Sequence, residues 1–187
     1  MLDAAYALFC EDGYRATTME AIADRAGVAV QTLYFTFHTK DELFQAVHER
    51  TVLGDEGLPP PMQPWYRAAV ASEDVDEAVR QICAGVLSIG RRVAPMVPAF
   101  HAVGADPAGR VWERAEQLRL EGMADLVADL VGKAPLRKGI TRDQAADVLY
   151  LLLGPEAYRT MVIERGWTEK RFATWTSRVI LADLFGR

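Results

Sequence analysis

The residues of this chain best suited to chemistry lie between Ala16 and Lys40, in the run ATTMEAIADRAGVAVQTLYFTFHTK. Thr17 with Glu20 three residues on has the form of a capping box, which predicts a helix from about Thr18 to Ala26. Met19, Ile22, Ala23 and Ala26 share one face of that helix. Gly27 stands where a left-handed cap is needed, and Val28 can fold back as an apolar plug. A second short helix, roughly Ala29 to Phe37, turns Leu33 and Phe37 inward. It leaves Val30, Gln31, Thr32, Phe35 and Thr36 outward, a mixture that suits base edges and sugar-phosphate better than a core. Lys40 then opens a helix from Asp41 to about Thr51, where a cation can meet a phosphate. An ordinary helical hairpin has the same outline, and spacing alone leaves the two readings level.

Other chemistry is poorly represented. His38, His48 and His101 have no metal-ligand spacing. There is no G-x-S-x-G, no phosphate-loop lysine and no dinucleotide fingerprint. Asp125 and Asp129, four apart, read as a solvated helix face. The expectation is a protein that is not an enzyme, with no metal and no cofactor. Cys10 and Cys83 fall in separate helical segments and read as buried free thiols of a reducing cytoplasm.

The elements that must position the 16–40 run are helical throughout. No segment alternates with period 2, so the expected class is all-α, a three-helix head followed by a helical bundle. Half of the 187 residues are apolar, enough for a real core, yet no apolar run approaches the ~18–20 residues of a membrane span. The chain opens on an amphipathic helix bearing Asp3 rather than on a leader sequence. Asp55 to Pro64, DEGLPPPMQP, is expected to be extended. The division expected is therefore a head over 1–51 with its helix-turn-helix at about 18–37, a linker over 52–64 and a body over 65–187. In the body, helices are expected over Trp65–Ala71, Asp74–Val93, Pro107–Val131, Thr141–Leu153 and Thr168–Phe185, with a short apolar segment over Ala99–Val103.

From Leu2 to Val47 the sequence resembles the DNA-binding domain of the TetR family of bacterial transcriptional regulators. The resemblance rests on AAYALFCEDGY (Ala4 to Tyr14), ATT (Ala16 to Thr18), IADRAGV (Ile22 to Val28), TLYFTF (Thr32 to Phe37) and K-x-x-L (Lys40 to Leu43). Ala145 to Thr168 also resembles the C-terminal region of one branch of the family. The resemblance implies that Thr18 and Tyr34 touch the DNA backbone, with a thymine methyl as a further contact open to Tyr34, and that Gln31 and Thr32 begin the groove-facing surface. It further implies that Phe35 and Thr36 lie against the sugar-phosphate and that Lys40 pairs with a phosphate. It implies a repressor that binds double-stranded operator DNA as a homodimer and lets go when a small molecule binds.

Charge bears on that expectation. Residues 1–50 carry four basic and eight acidic side chains, a net of −4, leaving −1 of the total −5 for the rest. DNA binding normally draws on released counterions, which favours a basic surface. Val28 to Lys40, however, contains no carboxylate. The acidic head and apolar Val30 motivate a second reading: a helical dimeric ligand-binding or adaptor protein without DNA binding.

In the body, a mostly apolar small molecule is expected to meet Trp65, Tyr66, Cys83, Met96, Phe100, His101, Trp112 and Met123. Any of these can equally be core. A dimer is expected through Asp143–Glu164 and Thr168–Phe185, with Leu149, Leu153, Phe172, Trp175 and Val179 at the interface, because these helices are apolar on more faces than one bundle uses.

Overall fold

The computed structural model describes residues 1–103 and 109–187. The described residues contain helices and turns and no strand. The α-helices are α1 (Leu2–Glu11), α2 (Gly13–Ala16), α3 (Met19–Ala26), α4 (Val30–Phe37), α5 (Lys40–Leu53) and α6 (Pro64–Ala71). Then come α7 (Val75–Val93), α8 (Val97–Val103), α9 (Gly109–Val131), α10 (Arg142–Leu152), α11 (Pro155–Tyr158) and α12 (Glu169–Ile180). Wider π turns continue α11 through Arg159–Glu164 and α12 through Leu181–Phe185. The helix start expected at Pro107 lies outside the described residues.

Most helix ends follow local signals. Asp74 caps α7 by accepting from the Asp76 amide. Thr141 and Gln144 form a reciprocal capping box at α10. Pro64 opens α6 and Pro155 opens α11, at first-turn positions where no amide donor is needed. The Pro-rich linker departs from expectation, since Pro60–Met62 forms a turn of 3-10 helix instead of extended chain. Proline's fixed φ suits the start of such a turn, and the Met62 amide closes it on the Pro59 carbonyl at 2.8 Å.

The chain divides into two compact units, Met1–Gly57 with Pro95–Ala115, and Leu58–Ala94 with Glu116–Arg187. The boundary differs from the expected head over 1–51, linker over 52–64 and body over 65–187. Residues 95–115, assigned to the body from sequence, pack in the first unit. Its core is a ring cluster centred on Phe44 of α5. Phe9 and Tyr14 lie edge-on, each at 4.9 Å, and Phe100 of α8 lies tilted at 4.7 Å. Trp112 of α9 stacks on Phe100 at 4.6 Å. Ala5, Ile22, Leu33, Leu43, Val47 and Met96 complete this core. Each buried ring contributes about 1.5–3 kcal/mol by leaving water, so the part supplied by α8 is not incidental to so small a unit.

The second unit buries the 3–4-spaced stripe Val75, Ala78, Val79, Ile82 and Cys83 of α7 against Met123, Leu126, Val127 and Leu130 of α9, Ala145 and Leu149 of α10, and Ile180. Two glycines of α7 admit large rings. Gly90 takes Tyr158, and Gly85 takes Trp65, whose ring occupies the space a Cβ would need, 1.9 Å from where that Cβ would sit. Trp65 is held there by its indole N–H, which donates to Gln63 Oε1 at 2.6 Å.

Gly85→Ala should therefore expel Trp65 from its seat and destabilise the chain by about 1–3 kcal/mol, as overpacking does. Thermal unfolding monitored by tryptophan emission checks this. An unchanged melting temperature with unchanged emission would show that the close seat is not maintained in solution.

Candidate nucleic-acid interface

The helix-turn-helix consists of α3, the turn Gly27–Ala29 and α4. The cap of α3 is Thr18, whose hydroxyl accepts from the Ala21 amide at 3.1 Å. This corrects the expected Thr17–Glu20 capping box. Thr17 is buried, and its hydroxyl donates to the Gly13 carbonyl at 2.8 Å, so it closes the end of α2. Gly27 adopts φ 68°, and the Val28 amide reaches back to the Ala23 carbonyl at 3.0 Å. That loop satisfies carbonyls at the end of α3 and redirects the chain. Ala29 supplies no side-chain cap to α4. Arg25 of α3 grips Glu11 of α1 through two bonds of 2.5 and 2.9 Å, which braces the motif from its solvent side.

On α4, Leu33 is fully buried and Phe37 is half-buried in the core of the first unit. Gln31, Thr32, Tyr34, Phe35 and Thr36 are exposed, Tyr34 to 43% and Phe35 to 85%. Val30 was expected to face outward, but it is half-buried against the same core. It is therefore an anchor of α4, and its apolar character is no argument against DNA reading. The exposed face of α4 carries no charged side chain. His38 ends the helix at φ 44°, the one non-glycine residue with positive φ among those described.

Lys40 does not simply project into solvent. Its ammonium donates to the Tyr14 carbonyl at 2.9 Å and to the Thr17 carbonyl at 3.0 Å, and lies 4.2 Å from the centre of the Tyr14 ring. Partial burial holds that ammonium below the ordinary lysine pKa. The Tyr14 hydroxyl in turn donates to Asp41. Thr39 caps α5 by accepting from the Glu42 amide at 3.1 Å. These contacts fasten the start of α5 to the end of α2, immediately before Thr18. Sequence reasoning missed the Thr39 cap and the Tyr14–Asp41 pair. The T-x-x-E spacing of Thr39 and Glu42 was a usable signal for the first; a contact 27 positions apart left none for the second.

The expected ligand residues divide between the two units. Met96, Phe100, His101 and Trp112 belong to the first, where Met96 and Phe100 are buried in the core and His101 sits edge-on to Trp112 at 6.1 Å. Trp65, Tyr66, Cys83 and Met123 belong to the second. Tyr66 donates to Asp129 at 3.2 Å, and burial pushes its hydroxyl up to about 12. Burial likewise pushes the Cys83 and Cys10 thiols up to about 11, which keeps both protonated and unreactive near neutrality. A solvent-open groove of about 360 Å³ in the second unit is lined by Val70, Ala71, Ser72, Glu73, Asp129, Gly132 and Lys133, none of them expected ligand residues.

The expected interface residues are also sorted by burial. Leu149, Leu153 and Phe172 are buried within this chain, so they have no surface left for a second copy. Trp175 and Val179 remain half-buried. Leu151, absent from the expected set, is 71% exposed on α10.

Comparison with known proteins agrees with the geometry of the head. Residues 1–47 match the family model described as bacterial regulatory proteins, tetR family. The HTH-type transcriptional activator FasR of Mycolicibacterium smegmatis is 48% identical over 52 residues, covering 28% of this chain and 24% of that relative. The match therefore spans only about a quarter of the relative's length. Two solved structures align with nearly the whole chain. SmeT, the repressor of the Stenotrophomonas maltophilia multidrug efflux pump SmeDEF, has a TM-score of 0.71 at 24% identity over 98% of this chain and 87% of its own. FadR from Bacillus subtilis in complex with stearoyl-CoA has a TM-score of 0.74 at 13% identity over 97% and 96%. Residues 1–47 are thus similar to the DNA-binding head of the TetR family, and the structural likeness shows a common all-helical fold.

The Lys40 tie predicts a separation of two effects. Lys40→Met should lower the melting temperature by a few degrees, since two carbonyls lose a charged donor. The salt dependence of DNA binding should stay as it is. A slope shallower by about one unit, with melting unchanged, would instead put the ammonium on a phosphate.

Proposed function

We propose that the chain is a DNA-binding transcriptional regulator that reads an operator with α4 as a homodimer. A mostly apolar small molecule held by the helical body releases it. The single observation that carries the reading is the exposed face of α4: five solvent-facing, uncharged side chains, among them an amide, hydroxyls and two aromatic rings, on a helix anchored by buried Leu33. Such a surface has no use in the protomer's own core, and its groups match what a major groove offers. Thr18 beside that face and Tyr34 within it act as backbone contacts. The match of the head to the TetR family supports the same reading.

The ligand class draws support from the stearoyl-CoA held by the structurally similar Bacillus subtilis FadR. By that analogy a long-chain acyl compound is the first candidate. A repressor is the sense supported by SmeT, while FasR is an activator. A reporter assay with the chain present and absent decides the sign. No helix among the described residues is long and apolar enough to cross a membrane, which agrees with work on DNA in the cytoplasm. No catalytic role is proposed.

Retardation of duplexes from a genomic fragment library at low salt tests the function directly. Enrichment of a near-palindromic site, with release on adding long-chain acyl compounds, is the expected result. Failure to retain any duplex would favour a dimeric ligand-binding or adaptor protein.

The proposed dimer draws support from exposed apolar surface on the C-terminal helices, where Leu151 on α10 and Ile163 stand in solvent and Trp175 and Val179 of α12 are half covered. Leu151→Glu should leave helicity intact and convert the light-scattering mass from two chains to one. A mass of one chain for the unmodified protein at micromolar concentration would rule the dimer out.

A further inference from the structure

We propose that Phe35 reads the 5-methyl group of a thymine in the major groove, so that the operator half-site has a position where thymine is required for its methyl. This rests on the DNA-reading function proposed above, and it replaces the expectation that Phe35 lies against the sugar-phosphate. Phe35 is 85% exposed, the most exposed large apolar side chain among the described residues. It stands two residues from Leu33 and two from Phe37, both turned inward, and so points about 200° away from each. Gln31 and Thr32, one turn earlier, share its face, so the ring stands in the middle of the outward surface rather than at its edge.

The chemistry of that face narrows what it can recognise. It has no arginine or lysine, and therefore no donor fork for guanine O6 and N7. Gln31 offers the amide that pairs with adenine N6 and N7. The only apolar feature that a base pair presents in the major groove is the thymine methyl, and an unburied phenyl ring is its natural partner. A sugar-phosphate contact would also cover the ring, but sugars are the same at every nucleotide and such a contact would carry no thymine preference.

The experiment starts from a duplex that the full chain selects from a random-sequence pool. Each thymine of the selected half-site is replaced in turn by deoxyuridine, which lacks only the methyl. At one position the replacement should weaken binding about fourfold, the value of burying one methyl group. Phe35→Ala should bind thymine and deoxyuridine duplexes equally there. Because Phe35 is solvent-exposed, this variant should fold and melt as the parent does. Gln31→Ala should keep the deoxyuridine penalty at that position. Equal binding of all deoxyuridine duplexes by the parent chain, or a penalty that survives Phe35→Ala, would overturn the proposal and leave the DNA-reading function standing. Failure of the parent chain to select any duplex would overturn both.

Discussion

The head is organised around Phe44. Three rings from three other helices pack on it within 5 Å: Phe9 from α1, Tyr14 from α2 and Phe100 from α8. Helices this short are marginal alone in water, so tertiary burial must fix them. The cluster supplies that burial and brings in a helix encoded about fifty positions after α5 ends. It also fixes Tyr14, whose ring and carbonyl receive Lys40 and whose hydroxyl meets Asp41. From there the constraint passes to Thr17 and the start of α3. The outward direction of α4 is set by Leu33, buried in the same core, and Val30, half-buried against it. An exposed reading surface is thus the visible end of a chain of buried contacts.

Electrostatics of the head follow from this arrangement. Lys40, three residues after α4, is turned partly inward to satisfy two carbonyls, and α4 itself is uncharged. In the proposed DNA-reading role, a surface of this kind depends on shape, amide and hydroxyl donors and apolar contact more than on a field of lysines and arginines. The acidic balance of residues 1–50 is compatible with it because Val28–Lys40 contains no carboxylate. Arg25, one of the four basic residues in that count, is occupied by Glu11.

Much of the fold was legible because its signals are local. Gly27, Thr141 and Asp74 each act within four residues, and each stands where the structure uses it. What sequence could not supply was the identity of distant partners. Thr17 and Thr18 are equal as caps until the end of α2 claims the first. The bonds of Lys40 to the Tyr14 and Thr17 carbonyls, beside its expected phosphate, carry no signal in the sequence. Met96 and Phe100 read as pocket residues because nothing in their neighbourhood announces Phe44. On α10 a nearly continuous apolar run hides which side faces in; burial of Leu149 and Leu153 and exposure of Leu151 separate them. The exposed face of α4 was better foreseen, because exposure on an eight-residue helix follows from two inward anchors at i and i+4.

Hydrogen exchange of the full chain, with and without a duplex that it has selected, locates the DNA on the protein independently of affinity. The account predicts slowed exchange concentrated in the turn Gly27–Ala29 and the first turn of α4, with smaller effects at the start of α3. Exchange slowed only in the second unit, or nowhere in the head, would contradict it.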